Sequence, residues 1–381
     1  MSTVYLDNSA TTPVNPAALN AAWPFLTNEF GNASSTHELG ERAALALADA
    51  RSRVAEFLGA RASDVVFTSG GTEGDNLAII GLALANPRGM HLVSARTEHE
   101  AVLAAVEFLN RVHGFDVTWL DVSRDGSVSL PHLEAALRDD TTLVTLMMAN
   151  NEVGTLHPVH DMAALAHARG ALFHTDAVAA VGWLPIEVRD LGVDALTLSG
   201  HKIGAPKGSG AVFVRSGLAI EPLLHGGGQE TDRRSGTENV AWAVALATAL
   251  DLLPEIQTDG PRVARLRDDF IARVLNTVPA ARLTGSADDR VASIASFTLA
   301  GVGGETVLLE LEQRGVIVSS GSACAAGRDD PSHVLMACGY TEDEARTSVR
   351  FSLAHHSTAD ELDRAARALA EAVDAVSGLG R

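Results

Sequence analysis

Residues 194–202 read Asp-Ala-Leu-Thr-Leu-Ser-Gly-His-Lys, an apolar run that ends in small and polar residues. The run predicts a short buried strand, and the turn-forming residues 203–208 that follow can continue neither a strand nor a helix. In an open α/β sheet, ligands bind beyond the carboxyl ends of the strands. The sequence therefore predicts that Lys202 lies in a loop at a ligand-binding edge.

The chain up to residue 255 alternates between short apolar strands and helices. Strands are predicted at 65–67, 90–93, 117–120, 143–147, 171–174 and 210–214. This alternation is typical of an α/β fold whose mostly parallel sheet is covered by helices on both faces. After a predicted hinge at 255–260, the pattern changes to that of a smaller α+β unit. We predict a large domain over 15–255 and a small domain made of 1–14 and 256–381.

Composition limits the classes of function. The chain has 381 residues, of which 46% are hydrophobic and 20% charged, which favours a packed core over disorder. Its formal net charge of −19 argues against nucleic acid or an anionic membrane as the main partner. Residues 1–5 show no signal-peptide pattern, and no apolar run is expected to span a membrane. We therefore expect a cytoplasmic protein whose two cysteines, Cys324 and Cys338, are free thiols, with one bridge between them as the alternative.

Lys202 is a candidate for a Schiff base with pyridoxal 5'-phosphate (PLP), although a solvated loop is the alternative when the stretch is taken alone. Gly71 and Thr72 open a helix after a predicted strand, where free backbone N–H groups can bind phosphate. Asp176 ends an apolar strand, where a buried carboxylate needs a partner such as a pyridinium nitrogen. For Thr72 and for Asp176, the alternative is that the side chain only caps the helix that follows.

Three further polar residues lie in or just after predicted strands. His99 could stack on an aromatic ring or move a proton, and a surface histidine is the alternative. Asn151 could hydrogen-bond a phenolic oxygen or a substrate, and plain turn chemistry is the alternative. Arg350, inside a predicted strand, could bind a carboxylate bidentately, and an intrachain salt bridge is the alternative.

The stretch 319–327 is a predicted loop of small residues that carries Cys324. An exposed thiol on such a loop is a liability unless it reacts, so Cys324 is a candidate nucleophile. Cys338 lies among apolar residues and is expected to be buried and structural.

Taken together, these motifs resemble the cysteine desulfurases of the NifS/IscS type, within the class-V aminotransferase family. The resemblance runs over nearly the whole chain. It rests on Ala10-Thr11-Thr12, Thr68-Ser69-Gly70-Gly71-Thr72-Glu73, Asn150-Asn151-Glu152-Val153-Gly154-Thr155, Ser199-Gly200-His201-Lys202, Gly226-Gly227-Gly228-Gln229-Glu230, Arg234-Ser235-Gly236-Thr237, Gly321-Ser322-Ala323-Cys324 and Arg350-Phe351-Ser352-Leu353.

The resemblance implies the PLP-dependent transferase fold type I, which is aspartate-aminotransferase-like, with a mostly parallel seven-stranded sheet and a smaller α+β domain. Lys202 would carry PLP, Asp176 would pair with the pyridine nitrogen, and His99 would stack on the ring and assist proton transfer. The residues that would hold the phosphate are Gly71, Thr72, Ser199 and His201. Thr237 would reach the phosphate in the neighbouring subunit, which implies a homodimer.

The resemblance also implies the reaction. Asn151 would contact both cofactor and substrate, and Arg350 would bind the carboxylate of L-cysteine. Cys324 would take the substrate sulfur as a persulfide, alanine would leave, and the sulfur would pass to an iron–sulfur scaffold protein or a tRNA-thiolation enzyme.

The chain departs from the family pattern at several positions. Ala179 stands where the family usually has Gln, and Ala354-His355-His356 follows Leu353 where Gly is usual. These departures bear on substrate preference and acceptor choice more than on reaction class. A selenocysteine lyase, another PLP enzyme such as an aminotransferase, and a non-catalytic scaffold remain the alternatives.

Overall fold

The computed structural model describes residues 3–321 and 330–379. The strands are β1 (Val4–Tyr5), β2 (Val65–Thr68), β3 (His91–Ala95), β4 (Asp116–Leu120), β5 (Thr141–Thr145), β6 (Leu172–Asp176), β7 (Ala195–Ser199), β8 (Gly210–Val214), β9 (Ala281–Leu283), β10 (Ile294–Leu299), β11 (Val316–Ile317) and β12 (Ser348–Ser352). The α-helices are α1 (Pro16–Thr27), α2 (Glu38–Phe57), α3 (Gly71–Ala85), α4 (Glu100–His113), α5 (Leu130–Ala136), α6 (Val159–Ala168), α7 (Val188–Leu191), α8 (Val240–Asp251), α9 (Leu253–Gln257), α10 (Gly260–Thr277), α11 (Gly304–Gln313), α12 (His333–Ala337), α13 (Glu342–Ala345) and α14 (Ala359–Leu379).

The largest sheet formed by the described residues has seven strands in the order β2-β8-β7-β6-β5-β3-β4. The strands from β7 to β4 in this order run parallel, whereas β8 is antiparallel to both β2 and β7. The predicted α/β class with a mostly parallel seven-stranded sheet is confirmed. Because β3, β5, β6 and β7 run parallel, their carboxyl ends meet at one edge, where the loops after them can form a single site.

The sheet is covered on both faces, which explains why its strands read as continuous apolar runs. Alternate residues of one strand enter different apolar clusters. Val93 and Val144 pack in the cluster that includes α1, α2 and α8, whereas Leu92 and Leu143 pack in the cluster that includes α3 and α4.

Residues Val240–Gln257 form the one helical stretch, within the described part of the chain, that is long and apolar enough to cross a membrane. The prediction that no apolar run is long enough to span a membrane is therefore wrong for this stretch, judged by length and composition alone. Of this stretch, 56% is buried inside the protein, and it is divided between α8 and α9. Helix α8 packs against α1 and α2, as a helix in the core of the protein does.

A smaller unit is built from the later part of the chain. Strands β12, β10 and β9 form an antiparallel sheet, and β1 pairs with β11 in parallel, so the amino-terminal strand joins this unit as expected. Its apolar cluster includes Val4 and Leu6 together with Phe270, Phe297 and Phe351, whose rings make edge-to-face contacts. The domain boundary at residue 255 stays a prediction.

The predicted hinge at 255–260 stays a prediction, and the structure shows a turn at 258–259 between two helices. Helix α9 extends to Gln257, and α10 begins at Gly260. Pro254 and Pro261 both lie in the first turn of a helix, where proline is favoured because its missing N–H would have no intrahelical partner. Of the predicted loop 319–327, residues 322–327 with Cys324 lie outside the described residues.

Candidate active site

A cavity of about 480 Å³ opens at the carboxyl edge of the large sheet. Loops after β5, β6 and β7, the start of α3 and the segment 8–16 form its walls. Most of the predicted site residues line it together: Gly71, Thr72, His99, Asn151, Asp176, Ser199, His201 and Lys202. The structure therefore brings together side chains that are more than one hundred residues apart in sequence.

Lys202 ends a short 3-10 turn, Gly200–Lys202, that directly follows β7. Gly200 is required there, because an added Cβ would lie 2.2 Å from the Ser209 hydroxyl. The Lys202 ammonium donates hydrogen bonds to the backbone carbonyls of Ser9 and Ala10, the latter at 3.0 Å. Sequence reasoning gave no role to these two carbonyls, because any residue type can supply them.

The segment that carries those carbonyls is tied to the Lys202 loop. The Thr12 hydroxyl donates to the His201 carbonyl at 2.9 Å, and Asn15 N–H donates to the Gly204 carbonyl at 2.7 Å. The segment also reaches the smaller unit, because Asn8 donates to the Ser352 carbonyl at 2.8 Å. One wall of the cavity is therefore attached to both parts of the fold.

The start of α3 provides an anion-binding corner. The helix begins at Gly71 with Gly70 as its N-cap, so the capping alternative for Thr72 is not observed. Gly70 has φ of 149°, a conformation that other residues rarely adopt. Next to it, the Ser199 hydroxyl is buried and has no hydrogen-bond partner among the described residues. Free N–H groups and an unpaired hydroxyl suit an anion such as a phosphate.

Asp176 lies at the last position of β6, where 6% of its surface is exposed. One carboxylate oxygen accepts the Val178 N–H at 2.8 Å. Burial raises the pKa of Asp176, and the nearby His99 and Lys202 oppose this shift. A cationic group bound in the cavity would favour the ionised carboxylate further.

His99 is the N-cap of α4, and its Nδ1 accepts the Ala101 N–H at 3.1 Å. This bond directs Nε2 away from the helix backbone and fixes Nδ1 as an acceptor. His201 lies in the same turn as Lys202, with Nδ1 3.3 Å from the Thr11 hydroxyl. Burial and the charge of Lys202 lower the pKa of His201 to about 4, so its imidazole is neutral at neutral pH.

Arg350 lies on β12 beside this cavity, and 2% of its side chain is exposed. It donates to the Asn151 carbonyl at 2.9 Å and pairs with the Asp7 carboxylate at 3.0 Å. Its Nε is buried without a hydrogen-bond partner in the described ranges. The salt-bridge alternative is thus observed, and the role of Arg350 in substrate binding stays a prediction.

Thr237 is not brought into this cavity. It is exposed and lines a second cavity of about 250 Å³ with Phe67, Ser69 and Arg234. Arg234 pairs with Glu73 in the first turn of α3 at 2.8 Å, which fixes the Thr237 loop beside the anion-binding corner.

Cys338 is a free, buried thiol, as its apolar surroundings predicted. It packs with Val153, Val334 and Leu335, and burial raises its pKa to about 12. A thiol held protonated in this way is inert at neutral pH.

Sequence reasoning missed two buried carboxyl groups beside the cavity. Asp75 on α3 and Glu98 before α4 are each 1% exposed. The Glu98 carboxylate accepts the Met147 N–H at 2.8 Å. Asp75 could have been noticed because it interrupts the apolar face of α3, whereas Glu98 has no comparable signal in the sequence.

Comparison with known proteins identifies the family. The aminotransferase class-V family model matches residues 4–365. A relative named "Cysteine desulfurase IscS" from Methanosarcina thermophila is 43% identical over 372 residues, covering 97% of this chain and 92% of the relative. The chain therefore belongs to the class-V aminotransferase family, as its motifs predicted.

Solved structures with a similar fold support the same family assignment. One titled "NIFS-LIKE PROTEIN" has a TM-score of 0.90 at 33% identity and covers 97% of this chain and 98% of its own. Another, titled "SspA in complex with cysteine", has a TM-score of 0.82 at 35% identity, and the match covers 93% of this chain and 100% of the other. These likenesses confirm the predicted aspartate-aminotransferase-like fold and the resemblance to NifS-type proteins.

Proposed function

We propose that this protein is a PLP-dependent cysteine desulfurase that removes sulfur from L-cysteine and leaves L-alanine. The observation that carries the proposal is the meeting of Lys202, Asp176 and His99 in one cavity beside an anion-binding corner. The relative named cysteine desulfurase and the similar structure in complex with cysteine support the substrate.

The residues of the cavity fit PLP. The unpaired Ser199 hydroxyl and the N–H groups at the start of α3 suit its phosphate, together with Thr72 and His201. A Cβ at Gly71 would lie 2.9 Å from a methyl carbon of Val178, so only glycine keeps this corner open. Asp176 would hold the pyridine nitrogen, and Lys202 would attach the aldehyde carbon.

When bound, PLP would supply an electron sink that stabilises negative charge at the substrate Cα. Lys202, once released, would take the Cα proton with its free amine. His99 would stack on the ring through its imidazole and assist proton transfer at Nε2, because Nδ1 is engaged by the Ala101 N–H. Asn151 would contact both cofactor and substrate, since Ala179 cannot supply the amide usual at its position.

Sulfur transfer balances without an outside oxidant. The Cys324 thiolate attacks Sγ of the substrate, and a new S–S bond forms. The Cβ–Sγ bond of the substrate breaks, and its electron pair stays on the carbon skeleton, which takes up a proton to become alanine. Arg350 would hold the substrate carboxylate in exchange for its present pairing with Asp7.

The remaining parts of the proposal concern assembly and partners. A homodimer would bring Thr237 to the phosphate of the neighbouring subunit, which accounts for its position outside the cavity of its own chain. The persulfide on Cys324 would pass to an iron–sulfur scaffold protein or a tRNA-thiolation enzyme in the cytoplasm.

The first experiment uses the low lysine content of the chain. Lys202 and Lys207 are its only lysines. Borohydride reduction of the PLP-loaded protein, followed by peptide mass mapping, should place one pyridoxyl group on Lys202. Lys207→Ala, which removes the exposed lysine, should keep this label, whereas Lys202→Ala should lose it. A label on Lys207 alone, or no PLP uptake, would contradict the proposal.

A second assay separates the reaction classes. With L-cysteine alone, a desulfurase forms alanine and persulfide sulfur in equal amounts. An aminotransferase instead needs a keto acid, and a selenocysteine lyase prefers the selenium substrate. Alanine formation that depends on an added keto acid would overturn the desulfurase proposal.

A further inference from the structure

Asp75 is a buried carboxyl group that lines the cavity next to the residues that would hold the cofactor. Its side chain comes from α3 and points at the sheet. One carboxyl oxygen of Asp75, one of Asp176 and a ring nitrogen of His99 lie within 4.8 Å of one another. One carboxyl oxygen, Oδ1, is buried and has no hydrogen-bond partner within residues 3–321 and 330–379.

A chain of polar side chains leads from Asp75 into the sheet. The Thr197 hydroxyl on β7 hydrogen-bonds Asp75 and lies 3.0 Å from Nε2 of His174 on β6. Nδ1 of His174 lies 2.8 Å from the Thr145 hydroxyl on β5. His174 Nε2 is also 3.7 Å from Asp75 Oδ1. The group therefore spans three neighbouring strands beneath the cavity.

The charges around Asp75 oppose its ionisation. Burial raises its pKa well above the ordinary range, and the nearby Asp176 and Glu98 raise it further, whereas the hydrogen bond with Thr197 acts in the opposite direction. His174 supplies no compensating charge, because burial lowers its pKa to about 3 and keeps it neutral. His99 and Lys202 lie near Asp176 and lower its pKa. Of the two aspartates, Asp75 is the one better suited to hold a proton.

We propose that Asp75 is a positioning residue that carries a proton, so that the single negative charge of the Asp75–Asp176 pair resides on Asp176, facing the bound ring. The inference rests on the proposed PLP site. When two carboxyl groups lie this close in a buried site, ionisation of both is unfavourable because their negative charges repel each other. A neutral Asp75 avoids that repulsion and orders Thr197 and His174 through its hydrogen bond. Asp176 can then remain the anion that holds a pyridinium nitrogen.

Two variants test the proposal. Asp75→Asn keeps a neutral, hydrogen-bonding side chain, so PLP affinity should stay within about twofold of wild type. Asp75→Ala removes the group and leaves His174 as the remaining partner of the Thr197 hydroxyl, so PLP affinity should fall about tenfold or more. Affinity is measured by titrating the resolved apoprotein with PLP and following absorbance, with thermal melting as a check of folding.

Infrared spectroscopy reports the proton itself. Wild type at neutral pH should show a protonated-carboxyl stretch that is reduced in Asp75→Asn. The matched control is Asp194→Asn, another fully buried carboxyl on this sheet. Contacts with His167 and Arg215 lower the pKa of Asp194, so this variant should leave the band unchanged.

The outcomes separate the two proposals. An unchanged band in Asp75→Asn, or wild-type affinity in Asp75→Ala, would overturn the role of Asp75. Failure of the wild-type protein to bind PLP would instead overturn the proposed function, and the infrared comparison would still decide whether Asp75 is protonated.

Discussion

Replacing His174 with glutamine should make the protein more resistant to acid. His174 is fully buried on β6, and burial lowers its pKa to about 3. In the unfolded chain, a histidine binds a proton near its ordinary pKa of about 6.5. Between these values the unfolded state binds a proton that the folded state does not, so the free energy of unfolding falls as the pH falls.

The size of this effect follows from the pKa difference. One proton taken up only on unfolding changes the free energy of unfolding by about 1.4 kcal/mol per pH unit. From about pH 7.5 to about pH 5, this histidine alone should remove about 2 kcal/mol of stability. Glutamine can still donate to one of its threonine partners, Thr145 and Thr197, and accept from the other, but it does not titrate.

The assay is denaturant unfolding of wild type and His174→Gln across this pH range at one protein concentration. The stability difference between them should shift by about 2 kcal/mol in favour of the variant as the pH falls. Phe173→Leu is the matched control, because it alters the neighbouring buried residue and should lower stability equally at every pH. Parallel curves for wild type and His174→Gln would refute the reasoning.

Three other predictions concern two substitutions and one labelling experiment. Glu230→Ala should lower the free energy of unfolding by about 3 kcal/mol, because it leaves Arg51, its partner at 2.6 Å, unpaired; an unchanged denaturation midpoint would contradict this. Cys338 should resist iodoacetamide in the folded protein and react after unfolding, because burial raises its pKa to about 12, and rapid labelling of its peptide in the native state would count against it. Arg350→Lys should raise KM for L-cysteine about tenfold or more, because lysine cannot make the bidentate pairing that we propose for Arg350 with the substrate carboxylate, and an unchanged KM would contradict that role.

The architecture of the large sheet could be predicted because its signal is local. Apolar runs alternating with helices indicate parallel strands, and polar residues after those runs then share one edge. Asp176 and Lys202 were found in this way. The antiparallel direction of β8 could not be predicted, since its apolar pattern is the same in either direction.

Other features depend on tertiary contacts that leave little trace in the sequence. Asp75 is in the middle of a helix, and its position beside Asp176 follows from how α3 packs on the sheet. The carbonyls of Ser9 and Ala10 can come from any residue. A proline such as Pro254 indicates a break in a helix, but the sequence does not show that a new helix, α9, starts there with Pro254 in its first turn.

The most direct test of the account is the mass of the Cys324 peptide after brief exposure of the reduced, PLP-loaded protein to L-cysteine, mapped without reductant. The account predicts a gain of one sulfur on Cys324 and none on the buried Cys338. An unmodified Cys324 in a protein that still consumes L-cysteine would contradict sulfur transfer through this residue.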